Sequence, residues 1–185
     1  MKAKVQARVH SSEKTKLEDV IPLETPFSVH IDICSKCNFK CNFCFQADTE
    51  AMKQKGYKYG SMKLELFKKI TDDLNEFKDK VRKVKIGLHG EPLIHPELSQ
   101  MISYMNSQNV TDIIELFTNG SMLNPKLNKE MIDAGLTRIN ISVEGLTSEK
   151  YRQVTGAKVD MDEFIKNIAN LYEVRKECKI YIKIH

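Results

Sequence analysis

The sequence predicts an α/β fold built on parallel strands. From residue 27 onward, short runs rich in β-branched residues alternate with segments whose apolar residues recur every three or four positions. The strand-like runs also end on polar or small residues, at "CSKC", "GLHGEP", "FTNG" and "SVEG". Parallel strands need long, usually helical crossovers, and such sheets carry their chemistry where strands end and loops begin.

The first strand is expected at 27–34 ("FSVHIDIC") and the second at 83–90 ("KVKIGLHG"). The third follows at 112–120 ("DIIELFTNG"), the fourth at 138–145 ("RINISVEG") and the fifth at 179–185 ("KIYIKIH"). Between them, Leu64, Phe67, Ile70, Leu74 and Phe77 form one helical stripe, and Leu98, Met101, Ile102 and Met105 a second. Leu127, Met131 and Ile132 form a third, closed by Gly135 at a helix end. Phe164, Ile165, Ile168, Leu171 and Tyr172 form the last. All four stripes are expected to face the core rather than a cofactor. Right-handed crossovers then give a partial (β/α) TIM-like barrel of about five βα units. Five strands do not close an eight-stranded barrel, and the chain stops at His185, so the front part of a longer protein is expected. Residues 1–24 read as a lead-in and residues 25–185 as the core domain.

Composition narrows the function classes. With 41% hydrophobic and 29% charged residues, the 185-residue chain fits a globular domain with a substantial core, not a disordered one. No apolar run reaches the roughly eighteen residues of a membrane span. The start, "MKAKVQARVHSSEKTKLEDV", is basic but lacks the apolar stretch of a secretory signal. Its Lys2, Lys4, Arg8, Lys14 and Lys16 are interrupted by Glu13, Glu18 and Asp19 with no aromatic residues between them, so a solvated segment is expected, not a nucleic-acid arm. Five cysteines without an export signal point to a reducing cytoplasm and a metal or redox role.

Four of those cysteines fall within "CSKCNFKCNFC", residues 34–44. Thiolates two to four residues apart on a loop can converge on one centre. Cys37, Cys41 and Cys44 have the spacing C-x3-C-x2-C, and three ligands on an iron–sulfur cubane leave one iron open to an exogenous molecule. Cys34 is either a fourth ligand or a strand-end residue pointing into the core. A zinc knot, whose paired cysteines are usually separated by about fifteen to twenty residues, and a closed four-cysteine electron-transfer cluster remain alternatives. Cys178 reads as an inert packing residue.

Residues 29–45, "VHIDICSKCNFKCNFCF", resemble the signature of radical S-adenosylmethionine (SAM) enzymes. The resemblance continues in "GLHGEPLIHPEL" (87–98), similar to the family's GGEP segment with His89 in place of the first glycine. It continues again in "FTNGSML" (117–123) and "ISVEGLTSEKYRQVTG" (141–156). The wording looks most like the branch containing SPASM peptide maturases and the molybdenum-cofactor GTP cyclase.

The resemblance implies that Cys37, Cys41 and Cys44 hold a [4Fe–4S] cluster whose open iron binds SAM. Reductive cleavage would then give a 5′-deoxyadenosyl radical that abstracts hydrogen from a peptide, protein or small-molecule substrate. It further implies an electron donor such as flavodoxin or ferredoxin. By the same resemblance Phe43 lies against adenine, and Glu91, with backbone groups around Gly90, takes the methionine amine. Thr118 and Asn119 line the site, and Ser142 touches the ribose or carboxylate. Glu144 stands where many relatives have aspartate. Arg152 reaches toward the methionine carboxylate, although the family's "RG" pair reads Thr155-Gly156 here. Cys34 occupies a place where relatives have threonine or serine. Tyr57 and Tyr59, in the loop 46–62, are either substrate contacts or surface. A non-catalytic iron–sulfur or zinc module that transfers electrons or binds a partner is the alternative function.

Overall fold

The structure, a computed structural model, describes residues 3–5 and 16–184. Lys2, Arg8, Glu13 and Lys14 of the lead-in, and His185 at the end of the fifth strand, lie outside the described residues. Lys16 pairs with Glu18 at 3.6 Å, both largely in solvent.

Five parallel strands form one sheet in the order β1 (Ser28–Ile31), β2 (Val81–Ile86), β3 (Thr111–Thr118), β4 (Arg138–Val143) and β5 (Lys179–Ile184). Spatial order follows chain order, as expected of successive βα units. Among the described residues six α-helices connect and flank them: α1 (Thr49–Gln54), α2 (Leu64–Asp73), α3 (Leu98–Gln108), α4 (Pro125–Asp133), α5 (Ser148–Thr155) and α6 (Met161–Val174). Among the described residues the sheet is an open part of a barrel.

Strand side chains alternate between two faces. One face presents Val84, Ile86, Leu116, Ile139 and Ile141, all fully buried in one cluster with Phe67, Met101, Ile102, Met105 and Met131 of the helices. The opposite, inner face is polar. The register aligns His30, Lys85, Glu115, Arg138 and Lys179 in one row across all five strands. Buried Glu115 is held there by Asn140 Nδ2 (3.0 Å), Lys83 (3.3 Å) and Arg138 (3.4 Å).

Local chemistry starts the helices. Asn124 accepts from the Leu127 N–H ahead of Pro125, and Thr147 from the Lys150 N–H. Asp160 accepts from both Asp162 and Glu163. Each side chain satisfies an amide that the first helical turn leaves open.

The strands end earlier than the apolar runs suggest. β1 stops at Ile31, and Cys34 keeps only a single antiparallel bridge to Ser61. β2 begins two residues early and stops at Ile86, because Gly87 and Gly90 turn the chain through positive φ (+76° and +75°). Three stripe residues also fall outside the core. Phe77 is 38% exposed because α2 tightens into a 3-10 turn at Leu74–Glu76, which takes it off the helical face. On α6 the seam is Phe164, Ile168 and Leu171, while Ile165 (59%) and Tyr172 (40%) lie on its flank. Two helices were not anticipated: α1, inside the loop at 46–62, and α5, inside the "SEKYRQVTG" segment.

Candidate functional site

The cysteine loop is braced by α5, more than a hundred residues away in sequence. Lys40 donates its N–H to the Thr155 carbonyl and Asn42 to the Val154 carbonyl, both at 2.8 Å. Phe39 packs edge-on against the buried Tyr151 ring at 6.3 Å, and Tyr151 against Phe164 at 5.7 Å.

Cys37, Cys41 and Cys44 are partly buried and all free thiols. The Phe39 N–H points at Cys37 Sγ (3.4 Å), the Gln46 N–H at Cys44 Sγ (3.5 Å), and Asn119 Nδ2 approaches Cys37 Sγ at 3.9 Å. Burial pushes the Cys37 thiol up, and pushes Cys41 up to about 12, with Glu144, Cys37 and Cys44 adding to the shift. A bound cation would favour the thiolate form at Cys37 and Cys41. Among the described residues no three His, Cys, Asp or Glu side chains meet around a single ion. Cubane ligands bind separate irons and need not do so. The donor set, with amides aimed at two sulfurs, fits such a cluster. Cys34 is in a different setting. It is 2% exposed, and its Sγ donates to the Lys36 carbonyl (3.6 Å) and accepts from Ser61 Oγ (3.7 Å).

The ends of β2 and β3 converge on one carboxylate. Glu91 is 1% exposed and accepts from Thr118 Oγ1 (2.6 Å), the Asn119 N–H (2.8 Å) and the Leu93 N–H (2.9 Å). Burial raises its carboxyl, while the Thr118, Asn119 and Leu93 bonds pull it back. The Glu91 N–H donates to the Lys36 carbonyl at 2.8 Å, so the carboxylate hangs from the cysteine loop. Asn119 Nδ2 donates to Asn38 Oδ1 (2.9 Å), and Asn38 Nδ2 to Ser121 Oγ (2.8 Å). Gly90, Glu91, Thr118, Asn119 and Cys37 thus form one connected unit. Asn38 was missed in sequence; its place between Cys37 and Cys41 was the available clue.

The remaining residues are more dispersed. Ser142 is half-buried on the inner face of β4. Glu144 is buried, close enough to Cys41 to raise its thiol, and its Oε2 has no hydrogen-bond partner among the described residues. Phe43 is 63% exposed at the tip between Cys41 and Cys44. Arg152 is exposed on α5 and joins none of these hydrogen bonds. Tyr57 and Tyr59 meet edge to face at 5.1 Å, and Tyr57 meets Phe45 the same way at 6.1 Å.

Asp32 and His89 were not singled out as site residues. Asp32 Oδ2 lies 2.7 Å from His89 Nδ1, and Phe45 packs edge-on to the imidazole at 5.3 Å. Their pairing spans 57 positions, so no local pattern announces it.

No helix among the described residues is long and apolar enough to cross a membrane. A protein from Methanococcus maripaludis named "Probable GTP 3′,8-cyclase" is 35% identical over 147 residues, covering 80% of this chain and 46% of its own length. A "Tungsten-containing aldehyde ferredoxin oxidoreductase cofactor-modifying protein" from Pyrococcus furiosus is 28% identical over 118 residues, covering 64% of this chain and 31% of its own. The chain thus spans about half the length, or less, of these relatives. In fold it resembles SuiB of Streptococcus suis bound to S-adenosylmethionine, with a TM-score of 0.67 and 21% identity over 89% of this chain and 35% of that one. BtrN in complex with AdoMet gives 0.62 and 17% identity over 86% and 57%. Residues 31–184 match the family described as the Radical SAM superfamily, and with the partial barrel and the strand-end site in place, the chain belongs to that superfamily.

Proposed function

We propose that Cys37, Cys41 and Cys44 hold a [4Fe–4S] cluster with one iron left for SAM, and that the chain is the radical-forming core of an enzyme removing hydrogen from its substrate. When bound, the reduced cluster and SAM supply a 5′-deoxyadenosyl radical. The observation that carries this reading is the unbroken link from Cys37 through Asn119 to the buried Glu91 carboxylate. A buried acceptor beside a three-thiol loop suits an ammonium group through a charge-assisted bond. Orphaned Glu144 Oε2 offers a second acceptor next to Cys41. The inner face, with its row of His30, Lys85, Glu115 and Arg138, is the open surface on which a substrate would lie.

Similarity to the GTP 3′,8-cyclases favours a small molecule of the purine nucleotide class as substrate. A peptide is the second reading, favoured by the likeness to SuiB solved with its precursor peptide SuiA. The electron donor is of the flavodoxin or ferredoxin kind and the setting is the reducing cytoplasm.

Anaerobic iron and sulfide reconstitution, followed by visible absorption, metal analysis and detection of 5′-deoxyadenosine, tests the reading. Cys34→Ala is expected to keep the iron, and Cys41→Ala to lose both iron and SAM cleavage. Zinc in place of iron, or a cluster that needs Cys34, would establish the non-catalytic module instead.

A further inference from the structure

The loops after β1 and β2 carry a side-chain pair, Asp32 and His89, outside the residues assigned above to the cluster and SAM. Asp32 follows β1 directly, and its Oδ1 accepts the backbone N–H groups of Leu88 (2.7 Å) and His89 (3.0 Å). Its Oδ2 takes His89 Nδ1 at 2.7 Å. Burial alone would raise the Asp32 carboxyl, but the His89 and Leu88 amides and the imidazole outweigh it and hold it below its ordinary range. Asp32 is therefore a carboxylate, which can only accept. In the neutral ring Nδ1 is then the protonated nitrogen and Nε2 carries the lone pair.

Nε2 has no hydrogen-bond partner among the described residues, and the side chain is 53% exposed. The backbone beneath it is held against the cysteine loop: a Cβ at Gly90 would strike the Cys34 and Lys36 carbonyls, and the Glu91 N–H donates to the latter. Phe45, Tyr57 and Tyr59 continue as an aromatic wall from the imidazole along the strand-end rim. This arrangement is a basic nitrogen with set tautomer and set direction, on the rim that carries the cysteines and Glu91.

We propose that Asp32 and His89 form an acid–base dyad that serves the substrate, with Nε2 accepting a proton from a hydroxyl or amine beside the carbon that loses hydrogen. One O–H or N–H bond breaks and one N–H bond forms on Nε2. The electron pair stays on the substrate heteroatom, so the transfer needs no oxidant or reductant. The inference rests on the radical-enzyme reading above.

The test combines a spectroscopic and a kinetic measurement on the full chain. In ¹⁵N NMR of the histidine-labelled protein, His89 is expected as the Nδ1–H tautomer, shifting toward Nε2–H in Asp32→Asn. His89→Asn keeps an N–H for Asp32 but removes the lone pair. With GTP as the probe substrate, this variant is expected to lower kcat by about 10²–10⁴-fold while KM holds, the usual worth of a positioned base. A loop-positioning role alone would leave kcat near wild type. Wild-type kinetics in His89→Asn overturn the proposal, as does an Nε2–H tautomer in the wild-type protein. If the wild-type chain does not turn over GTP, the nucleotide reading fails instead, and an Nε2–H tautomer still overturns the dyad.

Discussion

Replacing Gly90 by alanine tests whether the strand-end site is built by close backbone approach. Gly90 stands at φ +75°, where an L side chain is strained by about 1–2 kcal/mol. Its added Cβ would overlap the Cys34 carbonyl oxygen and lie 2.7 Å from that of Lys36. Both are backbone atoms of the cysteine loop and cannot rotate away, so overpacking adds about 1–3 kcal/mol. The sum is about 2–5 kcal/mol, or a fall in Tm of about 4–20 °C for a chain of this size. Two other glycines separate the causes. Gly56 has φ +78° but open space around it, so Gly56→Ala carries the conformational cost alone. Gly60 has neither the positive φ nor a neighbour, and alanine there is expected to be neutral or to stabilise by up to about 1 kcal/mol. Thermal unfolding followed by circular dichroism ranks the three, and iron content after reconstitution reports whether the loop has shifted. Gly90→Ala no worse than Gly56→Ala, with full iron loading, would refute the close-approach argument.

Tyr151→Ala removes a fully buried ring that holds Phe39 and Phe164. It is expected to cost about 3–5 kcal/mol in urea unfolding and to lower iron loading along with stability. Lys129 and Lys176 beside Asp133 hold its carboxyl down to about 2. A depressed acid stabilises the fold above its unfolded pKa and loses that contribution as pH falls through the folded one. The Asp133 contribution is therefore expected to fade between about pH 4 and pH 2, and carboxyl NMR should show its titration moving back up in Lys129→Ala/Lys176→Ala or in high salt, since these groups are exposed.

Much of this was legible because it is local. The C-x3-C-x2-C spacing, the glycine at the end of α4 and the apolar period of α3 each lie within one or two turns of chain. Phe77 and Tyr172 misled for the same reason: a stripe continues on paper past the point where a 3-10 turn or a helix flank takes it out of the core. α5 was hidden because its eight residues are mostly polar, and only Tyr151 and Thr155 among them are buried. Its function as the brace of the cysteine loop depends on carbonyls at residues 154 and 155, and backbone carbonyls leave no trace in side-chain pattern.

By itself the sequence determined the alternation of strand and helix, the polar ends of the strands, and the C-x3-C-x2-C spacing of three thiols on one loop. Those are properties of neighbours along the chain. Only the tertiary structure decided that Thr118 and Asn119 hydrogen-bond Glu91, that Cys34 turns away into the core, and that Asp32 meets His89. Each of these joins residues separated by 27 to 57 positions, and such distances are set by strand register and crossover packing, not by anything a short window of residues can express.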